Sequence, residues 1–194
     1  MSPPEDTMTQ SEAALAERLR HGDADAVAEL FDRHADRIHR HCFRLTADRA
    51  DAEDATATTF LEVWRHRHRV QVHDGSLLPW LHGVATNVCR NLTRGRRRHL
   101  RAVARLPGPP DQPDHADRVD ERLDTERRMR VVLDAVATLP PHEREVLALV
   151  VWSGLSYEDA AAALEVPVGT VRSRLSRARR RLTALAPIDA EGTP

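Results

Sequence analysis

A chain of 194 residues is long enough for one ordinary domain or two small ones, and 41% hydrophobic with 30% charged residues excludes wholesale disorder. Aromatics at 4% argue against a β-sandwich or barrel, while abundant Ala, Leu, Arg and Glu favour helices. The net charge of −1 hides a segregation: all 29 basic residues are arginine, and they are not evenly spread.

One block, Arg90, Arg94, Arg96, Arg97, Arg98, Arg101 and Arg105, contains no acid. A second, Arg172, Arg174, Arg177, Arg179, Arg180 and Arg181, contains none either. The compensating acids lie at Asp48 to Glu62 and from Asp111 to Glu126. Solvated helix faces usually alternate sign, so two arginine-only segments point to two surfaces that face a polyanion.

In chain order, residues 1–12 are polar and proline-bearing and are expected to form a disordered tail. Met1 to Asp6 lacks the apolar core of a signal peptide. A helix is predicted over Ala24–Leu45, with Ala28, Phe31, Ala35 and Ile38 on one stripe and Phe43 and Leu45 extending it. A second runs from Asp48 to about His68 and buries Ala52, Ala55, Thr59, Phe60 and Val63. A third begins near Leu77 or Pro79 and carries Leu81, Val84, Ala85, Val88 and Leu92 into the arginine block. Cys42 and Cys89 are too few for a disulfide framework and are expected to be reduced thiols.

Leu106 to Asp114 holds four prolines, which forbid regular helix, so residues 106–124 read as a flexible acidic linker. The fold expected is all-α: a helical domain over 13–105, the linker, a second helical domain over 125–186 and a loose tail over 187–194. The longest apolar run, Val146–Trp152, is far short of the roughly 20 residues of a membrane span, and a cytoplasmic protein is expected.

In the second domain, helices are predicted over Thr125–Ala137 and His142–Trp152, the latter stopped at Ser153-Gly154. Ser156-Tyr157-Glu158-Asp159 is a capping start for a short alanine-rich helix, which Glu165-Val166-Pro167 breaks. In the next helix Val168, Val171, Leu175, Ala178 and Leu182 form a buried stripe, and Thr170, Arg172, Ser173, Arg174, Arg177 and Arg181 lie opposite. Short helix, tight turn and arginine-faced helix suit major-groove recognition: arginine forks onto guanine O6 and N7, and hydroxyls and further arginines hold phosphates.

The whole chain from about Ala13 to Leu185 resembles extracytoplasmic-function sigma factors of bacterial RNA polymerase, which keep the domains called two and four. Leu139–Leu147, Gly154–Ala161 and Val166–Arg179 carry the likeness in the second domain, and imply that Thr170, Arg172, Ser173, Arg174 and Arg177 read the promoter element near −35. Asp51-Ala52-Glu53-Asp54 with Phe60–Trp64 is similar to the family's polymerase-binding helix. That likeness assigns Asp51, Glu53, Asp54, Phe60, Leu61 and Trp64 to core polymerase, although Ala57 and Thr58 depart from the family pattern. Pro79–Asn91 is similar to the segment that melts and reads the −10 element, which implicates Trp80, Asn87, Arg90, Asn91 and Arg94. Stacking surface, polar edge and cations are what a melted strand needs.

Two readings of Trp80 stay open, stacking on DNA or packing in the core; in the second, base capture falls to the loop Val72–Leu78. The resemblance implies as partners core polymerase (β′ clamp helices and β flap), promoter DNA and an anti-sigma factor, with no membrane insertion. The linker's acids are expected to mimic nucleic acid in polymerase channels.

No cofactor, metal or catalytic residue is expected. His39 and His41 point to different helix faces, and with His66 and His68 they read as surface histidines rather than ligands. Glycines are scattered and form no phosphate loop. The alternative to a sigma factor is a free-standing helix-turn-helix regulator that binds its operator without polymerase.

Overall fold

A computed structural model describes residues 5–103 and 131–185 of the chain. The expected linker 106–124, the start of the helix expected at Thr125, and the tail 187–194 lie outside the described residues. Among the described residues there is no β-strand, only an isolated bridge between His73 and Ser76.

The N-terminal domain is built from α1 (Glu5–Arg20), α2 (Ala24–Thr46), α3 (Arg49–Arg65) and α4 (Leu78–Val103), with a 3-10 turn at Arg67–Arg69. Local chemistry sets the boundaries. Asp23 caps α2 by accepting from the Asp25 N–H, and Asp48 caps α3 by accepting from the Asp51 N–H. Ala47 closes α2 in the left-handed conformation at φ 55°. Helix α1 starts inside the stretch expected to be a loose tail. Glu12 explains why it docks: its carboxylate accepts from the Leu77 N–H at 2.6 Å and lies 3.0 Å from His34 Nε2. Burial alone would raise the Glu12 carboxyl, but His34 and the Leu77 N–H outweigh it and hold it below its ordinary value.

Helix α2 differs from the expected stripe. Its buried face is Ala26, Leu30, His34, Ile38, His41, Cys42 and Leu45, whereas Phe31 is 45% exposed and Ala28 is exposed. The expected stripe runs through Phe31, and of its members Ile38 and Leu45 are buried as expected. His34 and His41 occupy core positions on this face. The buried face expected of α3 holds, since Ala52, Ala55, Thr59, Phe60 and Val63 are all buried, but the helix ends at Arg65 rather than about His68 and gives way to the 3-10 turn. Most of the face expected of α4 holds too, with Leu81, Ala85 and Val88 buried, Val84 partly buried and Leu92 at the rim. Cys42 and Cys89 are free and buried. The Cys89 thiol is pushed up by its hydrogen bond to Cys42 and by burial, which keeps it protonated.

The C-terminal domain contains helical residues 131–137 (α5), α6 (Pro141–Leu147) continuing into a π-turn at Ala148–Trp152, α7 (Tyr157–Leu164) and α8 (Val168–Leu185). The Ser153 N–H reaches back to the Ala148 carbonyl at 2.9 Å, the wide spacing of a π-bulge. Ser156 accepts from the Asp159 N–H at 2.9 Å and donates to its carboxylate at 2.8 Å, the cap read from the sequence. Glu165, left-handed at φ 54°, turns the chain from α7 into α8. Val171, Leu175 and Ala178 are buried and Val168 and Leu182 partly so, as their spacing predicted.

Candidate nucleic-acid and polymerase interfaces

Helix α8 rests on its buried stripe and presents Arg172, Ser173 and Arg177 to solvent, with Thr170 and Arg174 half-buried. Ser173 donates to the Thr170 carbonyl at 3.0 Å, and the Arg172 guanidinium lies 5.7 Å from the Tyr157 ring centre on α7. The acid-free face expected from sequence meets an acid in space. Glu143 of α6, 1% exposed, lies 3.4 Å from Arg177 Nε and 3.1 Å from Arg181 Nε. These two arginines brace the base of the helix, while Arg172 and Arg174 lie nearer its start.

On α4, Asn87, Asn91 and Arg94 are exposed. Arg90 is half-buried: Nε and Nη2 donate to the two carboxylate oxygens of Glu145 at 2.9 and 2.7 Å, and Nη1 donates to Asn87 Oδ1 at 3.0 Å. The hydrogen bonds to Glu145 raise the Arg90 pKa against the opposing effect of burial. Trp80 is half-buried: one part packs against the N-terminal core and the rest stays open to solvent.

Along α3, Glu53, Asp54, Ala57 and Leu61 are exposed, with Leu61 at 58%, and they share one helix face. Two assigned residues do not belong to it. Phe60 is 6% exposed and meets Phe31 edge-on at 4.9 Å, so it serves the core. Asp51 is half-buried and bonded to Arg96 of α4 at 2.6 Å, which ties the helix start to the arginine block. Trp64 is half-buried under the Arg67 guanidinium at 4.7 Å. Exposed Phe31 adds an apolar neighbour that the sequence stripe had placed inside.

The two domains pack together, which sequence reasoning did not foresee. Arg44 of α2 donates to the Trp152 carbonyl at 2.8 Å and covers the Trp152 ring at 5.6 Å. His41, expected at the surface, is fully buried: Nε2 is 2.9 Å from Thr86 Oγ1, Nδ1 is 3.4 Å from Ser153 Oγ, and its ring meets His82 edge-on at 4.8 Å. Burial, reinforced by the charges of His82 and Arg44, holds the His41 pKa well below its ordinary value. Burial also pushes His82 down to about 4, despite the Leu78 carbonyl that favours its protonation. One signal was available: Gly83 is an isolated glycine in a helical pattern, and such residues mark close backbone approach.

A cleft of about 500 Å³ lies between the domains, lined among others by Arg90, Arg94, Glu145 and Arg174. His73, Asp74 and Asp159 also meet across the domain boundary, with His73 Nε2 3.5 Å from Asp159 Oδ1. Asp74 is 89% exposed, so the cluster reads as a surface contact among polar side chains.

Residues 30–99 match the family model described as Sigma-70 region 2, and residues 129–182 match Sigma-70, region 4. The RNA polymerase sigma factor CarQ of Myxococcus xanthus is 34% identical over 169 residues, covering 87% of this chain and 94% of that protein. The ECF RNA polymerase sigma factor SigE of Mycolicibacterium smegmatis is 39% identical over 155 residues, 79% of this chain and 59% of that one. The chain belongs to the ECF sigma factors of the sigma-70 family.

A sigma factor directs RNA polymerase to promoters and is not an enzyme. The sigma factor RpoE of Bartonella quintana, solved with the anti-sigma factor NepR, matches with a TM-score of 0.63 at 25% identity, covering 84% of this chain and 97% of that one. CnrH, solved with the cytosolic domain of CnrY, matches with a TM-score of 0.64 at 23% identity, over 93% of this chain and 99% of that one, a likeness of fold. Among the described residues no helix is long and apolar enough to cross a membrane.

Proposed function

We propose that this sigma factor divides its work among three helices. The outer face of α3, with Glu53, Asp54 and Leu61, meets the clamp helices of the polymerase β′ subunit, and the C-terminal domain meets the β flap. Thr170, Arg172, Ser173, Arg174 and Arg177 of α8 read the −35 element. Trp80, Asn87, Arg90, Asn91 and Arg94 of α4 serve melting and reading at −10. The observation that carries this reading is α8 itself, a helix seated on Val171, Leu175 and Ala178 whose outer face offers arginines and hydroxyls. On α3, exposed acid beside exposed leucine gives both electrostatic steering and apolar contact.

The protein acts in the cytoplasm, where polymerase is. An anti-sigma partner is part of the same reading, by analogy with the complex in which RpoE was solved. The test separates the surfaces. Arg174→Ala should weaken promoter selection and leave polymerase binding intact, and Asp54→Ala should do the reverse. Equal effects of each variant on both assays would contradict the division.

A further inference from the structure

Glu143 of α6 is 1% exposed, yet its Oε2 accepts no hydrogen bond among the described residues. Arg181 Nε lies 3.1 Å from Oε2 without the alignment of a hydrogen bond, and Arg177 Nε and His142 Nε2 lie 3.4 and 3.9 Å from Oε1. A buried carboxylate held by charge alone is costly. Apolar side chains would join α6 to α8 without that cost, so packing does not account for the acid.

Its effect is to aim two arginines. Arg177 and Arg181 stand one turn apart on the same face of α8. Both direct Nε at Glu143 while their side chains stay 45% and 56% exposed. A guanidinium carries five donors in a fixed plane, so an edge held at Nε leaves the Nη donors for a second anionic partner. Among the described residues neither arginine faces another acid. Distance identifies the partner. Arg181 lies seven residues beyond Arg174, on nearly the same face and about 10.5 Å further along the axis. The major groove is about 12 Å wide. With Arg174 over base edges, Arg181 reaches the rim, where the phosphates run.

We infer that Glu143 is a positioning residue for DNA binding, which aims Arg177 and Arg181 outward so that Arg181 clasps a phosphate at the rim of the −35 element. The inference rests on α8 lying in the major groove, as proposed above.

The test uses the full chain assembled with core polymerase and a promoter library randomised over the upstream element. It reads affinity, base preference and the slope of log K against log salt. Arg181→Ala should weaken binding about ten-fold for every sequence, flatten the salt slope by about 1 and leave base preference unchanged. Arg181→Lys should restore the slope but not the full affinity, because an ammonium has no fixed fork to share between Glu143 and a phosphate. Glu143→Gln separates two roles by sign. It makes the DNA face more positive, so removing an acid that merely neutralises arginine would tighten binding and steepen the slope. Removing a positioning acid weakens binding instead, and that is the expected result. In the Arg181→Ala background the same exchange should cost less, because a residue it acts through is gone.

Tighter binding by Glu143→Gln, or costs that add in full, would overturn the positioning role. A loss in Arg181→Ala confined to certain bases, or an unchanged slope, would overturn the phosphate contact. Arg174→Ala in the same library should change base preference. An unchanged preference there counts against the reading of −35 by α8, while Arg181 is still decided by slope and uniform loss.

Discussion

Arg90 of α4 holds Glu145 of α6 through two charge-assisted hydrogen bonds, 2.9 and 2.7 Å long, that join the two sigma domains. The Glu145 side chain is 7% exposed and that of Arg90 is 32% exposed, so the carboxylate depends on its partner more than the guanidinium does. Arg90→Ala should therefore destabilise the folded chain by about 1–3 kcal/mol, the cost of stranding a buried charged group, discounted for the solvent that reaches the arginine. A double-mutant cycle with Glu145→Gln, read by urea unfolding, measures the coupling. A cycle energy near zero would reduce the pair to a surface contact.

His41 and His82 give the fold a pH dependence whose sign follows from their depressed pKa values. Unfolded histidine titrates near 6.5, so below that pH the unfolded chain binds protons that the folded core refuses. Stability should be level above pH 7 and fall by up to about 1.4 kcal/mol per pH unit per histidine on going from 6.5 toward 4. His41→Gln should flatten the slope between pH 6.5 and 5, which chemical unfolding across that range would detect.

Phe60 and Leu61 are adjacent in sequence and opposite in role. Phe60→Ala should cost about 3–5 kcal/mol by opening a core cavity against Phe31. Leu61→Asp should leave thermal stability within about 0.5 kcal/mol of the parent, as an exposed position allows, and weaken binding to core polymerase. Equilibrium unfolding and a polymerase pull-down decide both.

Ser156 supports the helix-turn-helix from its first turn. Ser156→Ala removes the acceptor for the Asp159 N–H and should cost about 1 kcal/mol, with faster amide exchange in α7. Unchanged exchange would mean that packing of Ala160, Ala161 and Ala163 alone holds the helix.

Much of this architecture was legible because local signals and packing agree. Val171, Leu175 and Ala178 follow helical spacing, Ser156 caps where a cap was read, and α3 buries the five residues that its pattern named. What the sequence did not disclose is chiefly how polar and charged side chains are satisfied by partners far along the chain. His41 finds Thr86 and Ser153, Asp51 finds Arg96, and Arg90 finds Glu145 fifty-five residues on. Periodicity within a helix carries no information about such partners. Phe31 is the complementary case, since an apolar residue at the right spacing sits half outside once His34 has taken the core position beside it.

The central claim, that this chain gives core polymerase its promoter specificity, is tested most directly by reconstituted transcription. Purified chain and sigma-free core polymerase are offered a genomic promoter library at fixed salt, because phosphate contacts make affinity depend on salt. The account predicts discrete start sites that core polymerase alone does not produce, each preceded by a shared pair of upstream elements. No initiation above core alone, together with tight duplex binding by the chain without polymerase, would contradict it.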